Sequence, residues 1–142
     1  MTLLVGILLA LVLLIIAGLH ALWGLRIWWP ATDERALALL SAGFAGRVKM
    51  PPPLACFAVA GALTGAASLT LSIIGILPFG TLLVPRILLG LAALVFLARG
   101  MAAYTAPWAR LTPSQPFRSL DRRVYGPLCL AIGLGLLLLA TD

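Results

Sequence analysis

The sequence is poor in the groups that usually carry polar chemistry. It has no asparagine, one glutamine (Gln115), one histidine (His20) and four acidic residues among 142. Charged residues make up 10% of the chain, whereas a soluble domain uses roughly a quarter to keep its surface wet. A soluble globular fold is therefore excluded. No Asp or Glu falls inside an apolar run, so a proton-coupled exporter built on a membrane carboxylate would lack its carrier. There is no Gly-rich phosphate loop, no CxxC pair and no Ser-His-Asp spacing, which leaves no catalytic residue to assign. The two cysteines, Cys56 and Cys129, cannot form a disulfide framework. Both lie in apolar stretches, where a free thiol behaves as a small hydrophobe.

What is present is apolar: 63% of residues are hydrophobic and the mean hydropathy is +1.15. Four runs are long enough to cross a hydrocarbon core of about 30 Å at about 1.5 Å per residue. They cover residues 3–24, 54–77, 85–104 and 123–140. The first run lacks a basic leader and a small-x-small cleavage site, so it reads as a retained helix rather than a signal peptide. The expected fold is all-α, a single four-helix transmembrane domain over residues 1–142. Between the first two runs, Asp33 can cap a short surface helix carrying Leu37, Leu40 and Phe44. Pro51, Pro52 and Pro53 then start the second run, and Pro78, Gly80 and Pro85 mark the next turn.

The net charge of +6 does not indicate nucleic acid, because the charges have a topological pattern. Nine of the ten basic residues sit in the first and third connections or the adjoining helix ends, and only Arg86 lies on the other side. Positive-inside logic then places both termini outside the cytoplasm. Trp23, Trp28, Trp29, Trp108, Tyr104 and Tyr125 gather on the basic side, against Phe79 on the other.

Helix direction brings polar residues from different runs to one depth. His20 and Trp23 are level with Cys56, Arg99, Tyr104, Asp121, Tyr125 and Cys129. Arg99 has one acid placed to pair with it, Asp121. The pair reads as a clamp between the third and fourth runs, or as an anion or headgroup site with Arg99 and His20 as donors. His20, Cys56, Cys129 and Asp121 match zinc in number only, with no ligand motif, so no metal is assigned. In the second run Gly61 and Gly65 form a GxxxG pair suited to close helix packing. Thr64, Ser68 and Ser72 form a hydroxyl stripe on one face.

The stretch Phe117-Arg118-Ser119-Leu120-Asp121-Arg122-Arg123-Val124-Tyr125-Gly126-Pro127-Leu128-Cys129-Leu130, with His20-Ala21-Leu22-Trp23-Gly24, resembles a known family. It is one of small bacterial membrane proteins catalogued as domain of unknown function 3995. The matching patterns are H-x-x-W-x-x-G and F-x-x-L-D-x-x-x-Y-S-P-L-C. Here Gly24 comes early and Gly126 replaces the serine. The resemblance implies a four-helix fold in a bacterial membrane and no activity. Three functional readings follow: a non-enzymatic, self-associating inner-membrane protein in contact with the lipid bilayer; a small transporter or channel for an anionic or amphipathic solute; and a membrane enzyme acting on a lipid or quinone.

Overall fold

The computed structural model describes residues 2–78, 81 and 83–142. Among them there are helices and no strands. Four helices are long and apolar enough to cross a membrane: α1 (Thr2–Gly24), α3 (Pro53–Ile73), α4 (Leu83–Ala102) and α6 (Phe117–Thr141). Two short helices, α2 (Glu34–Ser41) and α5 (Ala106–Leu111), lie in the basic connections. Asp33 caps α2 as its sequence suggests, its Oδ1 accepting the Ala36 N–H at 2.8 Å. Phe79 and Gly80, part of the expected turn on the less basic side, fall outside the described residues.

Helix α1 packs mainly on α3, and α4 mainly on α6; the pairs join where α3 meets α4 and α1 meets α6. Consecutive long helices are thus neighbours. Leu13, Leu63, Leu89, Ile132 and Leu136 fill the core, spaced by Ala10, Ala17, Ala66, Ala67 and Ala93. Leu94, Val95 and Leu138 point outward. Lipid tails are as apolar as leucine, so helices that cross a bilayer associate through close fit rather than through hydrophobic burial.

The close fit lies elsewhere than the sequence suggested. Gly61 and Gly65 are exposed, and a Cβ at either would meet nothing within 4 Å. Helix α3 turns Leu63, Ala66, Ala67 and Thr70 inward, which puts Gly61 and Gly65 on its opposite side. Tight approaches occur between α4 and α6, and also where Gly24 of α1 meets Phe57 of α3. A Cβ at Gly133 would lie 2.7 Å from Leu97, and one at Gly100 would lie 2.7 Å from Leu130 and 3.0 Å from the Gly126 carbonyl oxygen.

Helix ends explain the remaining differences. Helix α3 stops at Ile73, short of residue 77, because Gly75 adopts φ +79. The Ile76 N–H then bonds Leu71 O at 2.9 Å and the Gly75 N–H bonds Ser72 O at 3.0 Å, a glycine-closed helix end. Helix α1 ends in the same way, with Ile27 N–H on Leu22 O at 2.9 Å. There the left-handed position is Arg26, φ +63, where the H-x-x-W-x-x-G spacing would place its glycine. Helix α4 lies two residues earlier at each end than 85–104. Helix α6 begins at Phe117, not 123, anchored by that residue's buried ring. Asp121 is consequently inside a long helix, which corrects the expectation of no interior acid.

Candidate functional site

The site is built on a distortion near the start of α6. Pro127 has no N–H, and in a regular helix its ring would press on the carbonyl four residues back. The helix widens just before it. Residues Asp121–Tyr125 form a π turn, in which the Gly126 N–H donates to Asp121 O. Such turns are rare and concentrate at functional positions. Glycine is required at 126, since a Cβ there would lie 2.9 Å from Asp121 O and 3.0 Å from the Ala103 methyl. The widened turn leaves the Arg122 carbonyl without its usual helical donor. Tyr104 supplies one, its OH donating at 3.0 Å.

The turn carries Asp121 into the protein, where it is 0% exposed. Arg99 of α4 donates through Nη2 to Asp121 Oδ1 at 2.6 Å. Trp108 of α5 donates through Nε1–H to Oδ2 at 2.8 Å. The Arg99 guanidinium carbon lies 4.8 Å from the Trp108 ring centroid, a cation–π contact. Each carboxylate oxygen has a donor, and the cation neutralising it is stacked on the donor ring. Arg99 Nη1 is buried without a partner among the described residues.

Trp108 is held from several sides. Thr105 caps α5 and its side chain accepts the Trp108 N–H at 3.4 Å. Thr112 Oγ donates to the Trp108 carbonyl at 2.8 Å, and the Phe44 ring packs edge-on with centroids 6.2 Å apart. Two further bonds pin α6. Arg118 Nη1 donates to Ala103 O at 2.9 Å, and Tyr125 OH donates to Leu40 O of α2 at 3.0 Å.

The residues expected at one depth divide into two centres. Arg99 and Asp121 meet as a pair, joined by Trp108. His20, Trp23 and Cys56 instead share a groove of about 140 Å³ with Met50 and Val59. In it the His20 and Trp23 rings lie 4.7 Å apart. His20 donates through Nδ1–H to Ile16 O at 2.9 Å, which commits that nitrogen to its own helix. Tyr125 joins α6 to α2, and Cys129 is a half-buried free thiol. Among the described residues no three His, Cys, Asp or Glu side chains gather as metal ligands. On α3, Thr64 and Ser68 donate to carbonyls one turn back, at 2.8 and 2.9 Å. Ser72 Oγ is buried without a partner among the described residues.

Trp108 is the participant that sequence reasoning missed, having taken it for a member of an aromatic belt. The available signal was Thr105-Ala106-Pro107-Trp108, a cap followed by proline in the first turn, which starts a helix and fixes the tryptophan's direction.

A family described as protein of unknown function (DUF3995) matches residues 13–136, a span that contains both centres. No curated protein and no solved structure matches the chain.

Proposed function

The chain belongs to the DUF3995 family, and because that membership brings no activity with it, we propose from the geometry a non-enzymatic multi-pass membrane protein whose polar centre is a structural clamp. The observation that carries this reading is the state of Asp121: fully buried, with both oxygens engaged by Arg99 and Trp108. A carboxylate so buried is closed to a proton or a cation arriving from solvent. Arg99 is bonded to Asp121 through Nη2 and stacked on Trp108, which engages one edge and one face of the guanidinium. The clamp joins α4, α5 and α6 at the basic end.

The membrane assigned is the bacterial inner membrane, with the basic end in the cytoplasm and both termini outside. This rests on the nine basic residues at one end, since an excess of Lys and Arg marks cytoplasmic connections.

Native mass spectrometry of the protein released from nanodiscs tests the clamp. The expected spectrum holds no metal, quinone or solute whose retention depends on Arg99. A molecule retained by the wild type and lost in Arg99→Leu would turn the clamp into a binding site.

Self-association is a second element of the reading, favoured by the outer face of α3. Gly61 and Gly65 are exposed there and open to a close approach that nothing among the described residues uses. In the same spectra Gly61→Leu with Gly65→Leu should convert an oligomer to a monomer. An unchanged oligomer would remove that face from the interface.

A further inference from the structure

A second polar feature lies beside the clamp and shares no residue with it. Between the end of α4 and the first turns of α6 is an open cleft of about 410 Å³, lined by Tyr104, Gln115, Arg118, Ser119, Arg122 and Arg123. We infer that this cleft binds the phosphate of an anionic phospholipid headgroup.

Charge is the first support. Three guanidiniums line the cleft and no acid does. The two ion pairs among the described residues are Arg26–Glu34 and Arg99–Asp121, so none of the three has an acidic partner there. Asp121, the nearest acid in sequence, is buried and bonded on the other side to Arg99 and Trp108. Arg118 and Arg122 are one turn apart, a spacing at which like charges repel. Arg118 also sits in the first turn of α6, where the macrodipole disfavours cations. The arrangement costs stability when empty, and a bound anion would relieve both terms.

Its walls are fixed. Arg118 is tethered to Ala103 O and Tyr104 to Arg122 O. Ser119 Oγ donates to Gln115 Oε1 at 2.9 Å, which leaves the Gln115 amide nitrogen as a further donor. Guanidiniums suit phosphate because their planar donors bind its oxygens in pairs.

Lipid, rather than a soluble phosphate, follows from the surroundings. The cleft opens at the ends of two helices that are apolar enough to cross a membrane, and Met101, one turn before Tyr104 on α4, is exposed. A headgroup seated among the arginines would run its acyl chains back along the apolar helices that carry the cleft.

The test titrates the full-length protein in mild detergent with phosphatidylglycerol, phosphatidylcholine or inorganic phosphate, counting adducts by native mass spectrometry. Preferential retention of phosphatidylglycerol is expected. Arg122→Gln with Arg123→Gln should weaken it by about 30-fold, from the surface attraction of two lost cations, while Arg35→Gln, at an exposed arginine outside the cleft, should leave the preference in place. Equal retention of phosphatidylcholine, or of phosphatidylglycerol by the double variant, would overturn the inference. Displacement of the lipid by an equal concentration of inorganic phosphate would assign the cleft to a soluble anion instead and also overturn it. Should the double variant not fold, the wild type still decides: its preference must fall as salt is raised, and a salt-insensitive preference overturns the proposal.

Discussion

Asp121 is costly to bury, and what makes it tolerable is visible atom by atom. Removing a carboxylate from water costs several kcal/mol, repaid only when the pairing geometry is good and the remaining lone pairs are satisfied. Arg99 meets the first requirement, and Trp108 supplies the donor to the second oxygen. Trp108→Phe keeps a ring under the guanidinium but removes the N–H. Chemical unfolding in detergent should then show a loss of about 1.5–3 kcal/mol, the usual worth of a hydrogen bond to a charged group. No change in stability would mean that Arg99 alone satisfies the carboxylate. Arg26 presents the opposite case. Its left-handed φ costs about 1–2 kcal/mol for a non-glycine residue, against an exposed Arg26–Glu34 pair at 3.4 Å worth about 0–1 kcal/mol. Glu34 keeps a second role, accepting the Met50 N–H at 3.1 Å. Arg26→Gly should therefore leave the thermal midpoint unchanged or raised, and a clear fall would show that the arginine's contacts outweigh its backbone strain.

At the scale of elements, position decides what a glycine does. A Cβ at Gly126 would press on a backbone oxygen, which cannot rotate away. Gly126→Ala should cost several kcal/mol and disturb the π turn, while Gly61→Ala should cost nothing within the protomer. The comparison is read from unfolding midpoints, and equal losses at the two positions would contradict the packing described. Sequence alone could not separate these glycines. The hydroxyl stripe of α3 does not mark the inward side, because Thr64 and Ser68 bond to their own backbone whichever way they face. Helix existence was readable from the length of the apolar runs, and the Arg99–Asp121 pairing from helix direction, which sets depth. The π turn was not. Pro127 signals a disturbance, but whether the helix kinks, breaks or widens depends on Gly126 and on Tyr104 capping the freed carbonyl, both tertiary matters. Trp108 escaped for a similar reason, because its direction comes from a six-residue helix too short to show periodicity.

For the whole molecule, specific structure is concentrated at one end. The core between the long helices is built of Ala and Leu, with few polar contacts, whereas the basic end holds the clamp, the groove at His20, the cleft of arginines and both short helices. Alanine and leucine packing alone specifies a register weakly, and a buried pair at one end can select it. The central claim is that Arg99 and Asp121 act together to hold that end. The most direct test is a double-mutant cycle on global unfolding in detergent, with Arg99→Leu, Asp121→Leu and the two combined. Arg99→Leu should cost about 3–5 kcal/mol, since it leaves the buried Asp121 charge without its partner, and Asp121→Leu should cost less, since Arg99 is partly exposed. The combination should cost clearly less than the sum, although Trp108 Nε1 still loses its acceptor. A double variant whose loss equals the sum to within about 0.5 kcal/mol would mean the two residues are uncoupled, and the clamp would have to be abandoned.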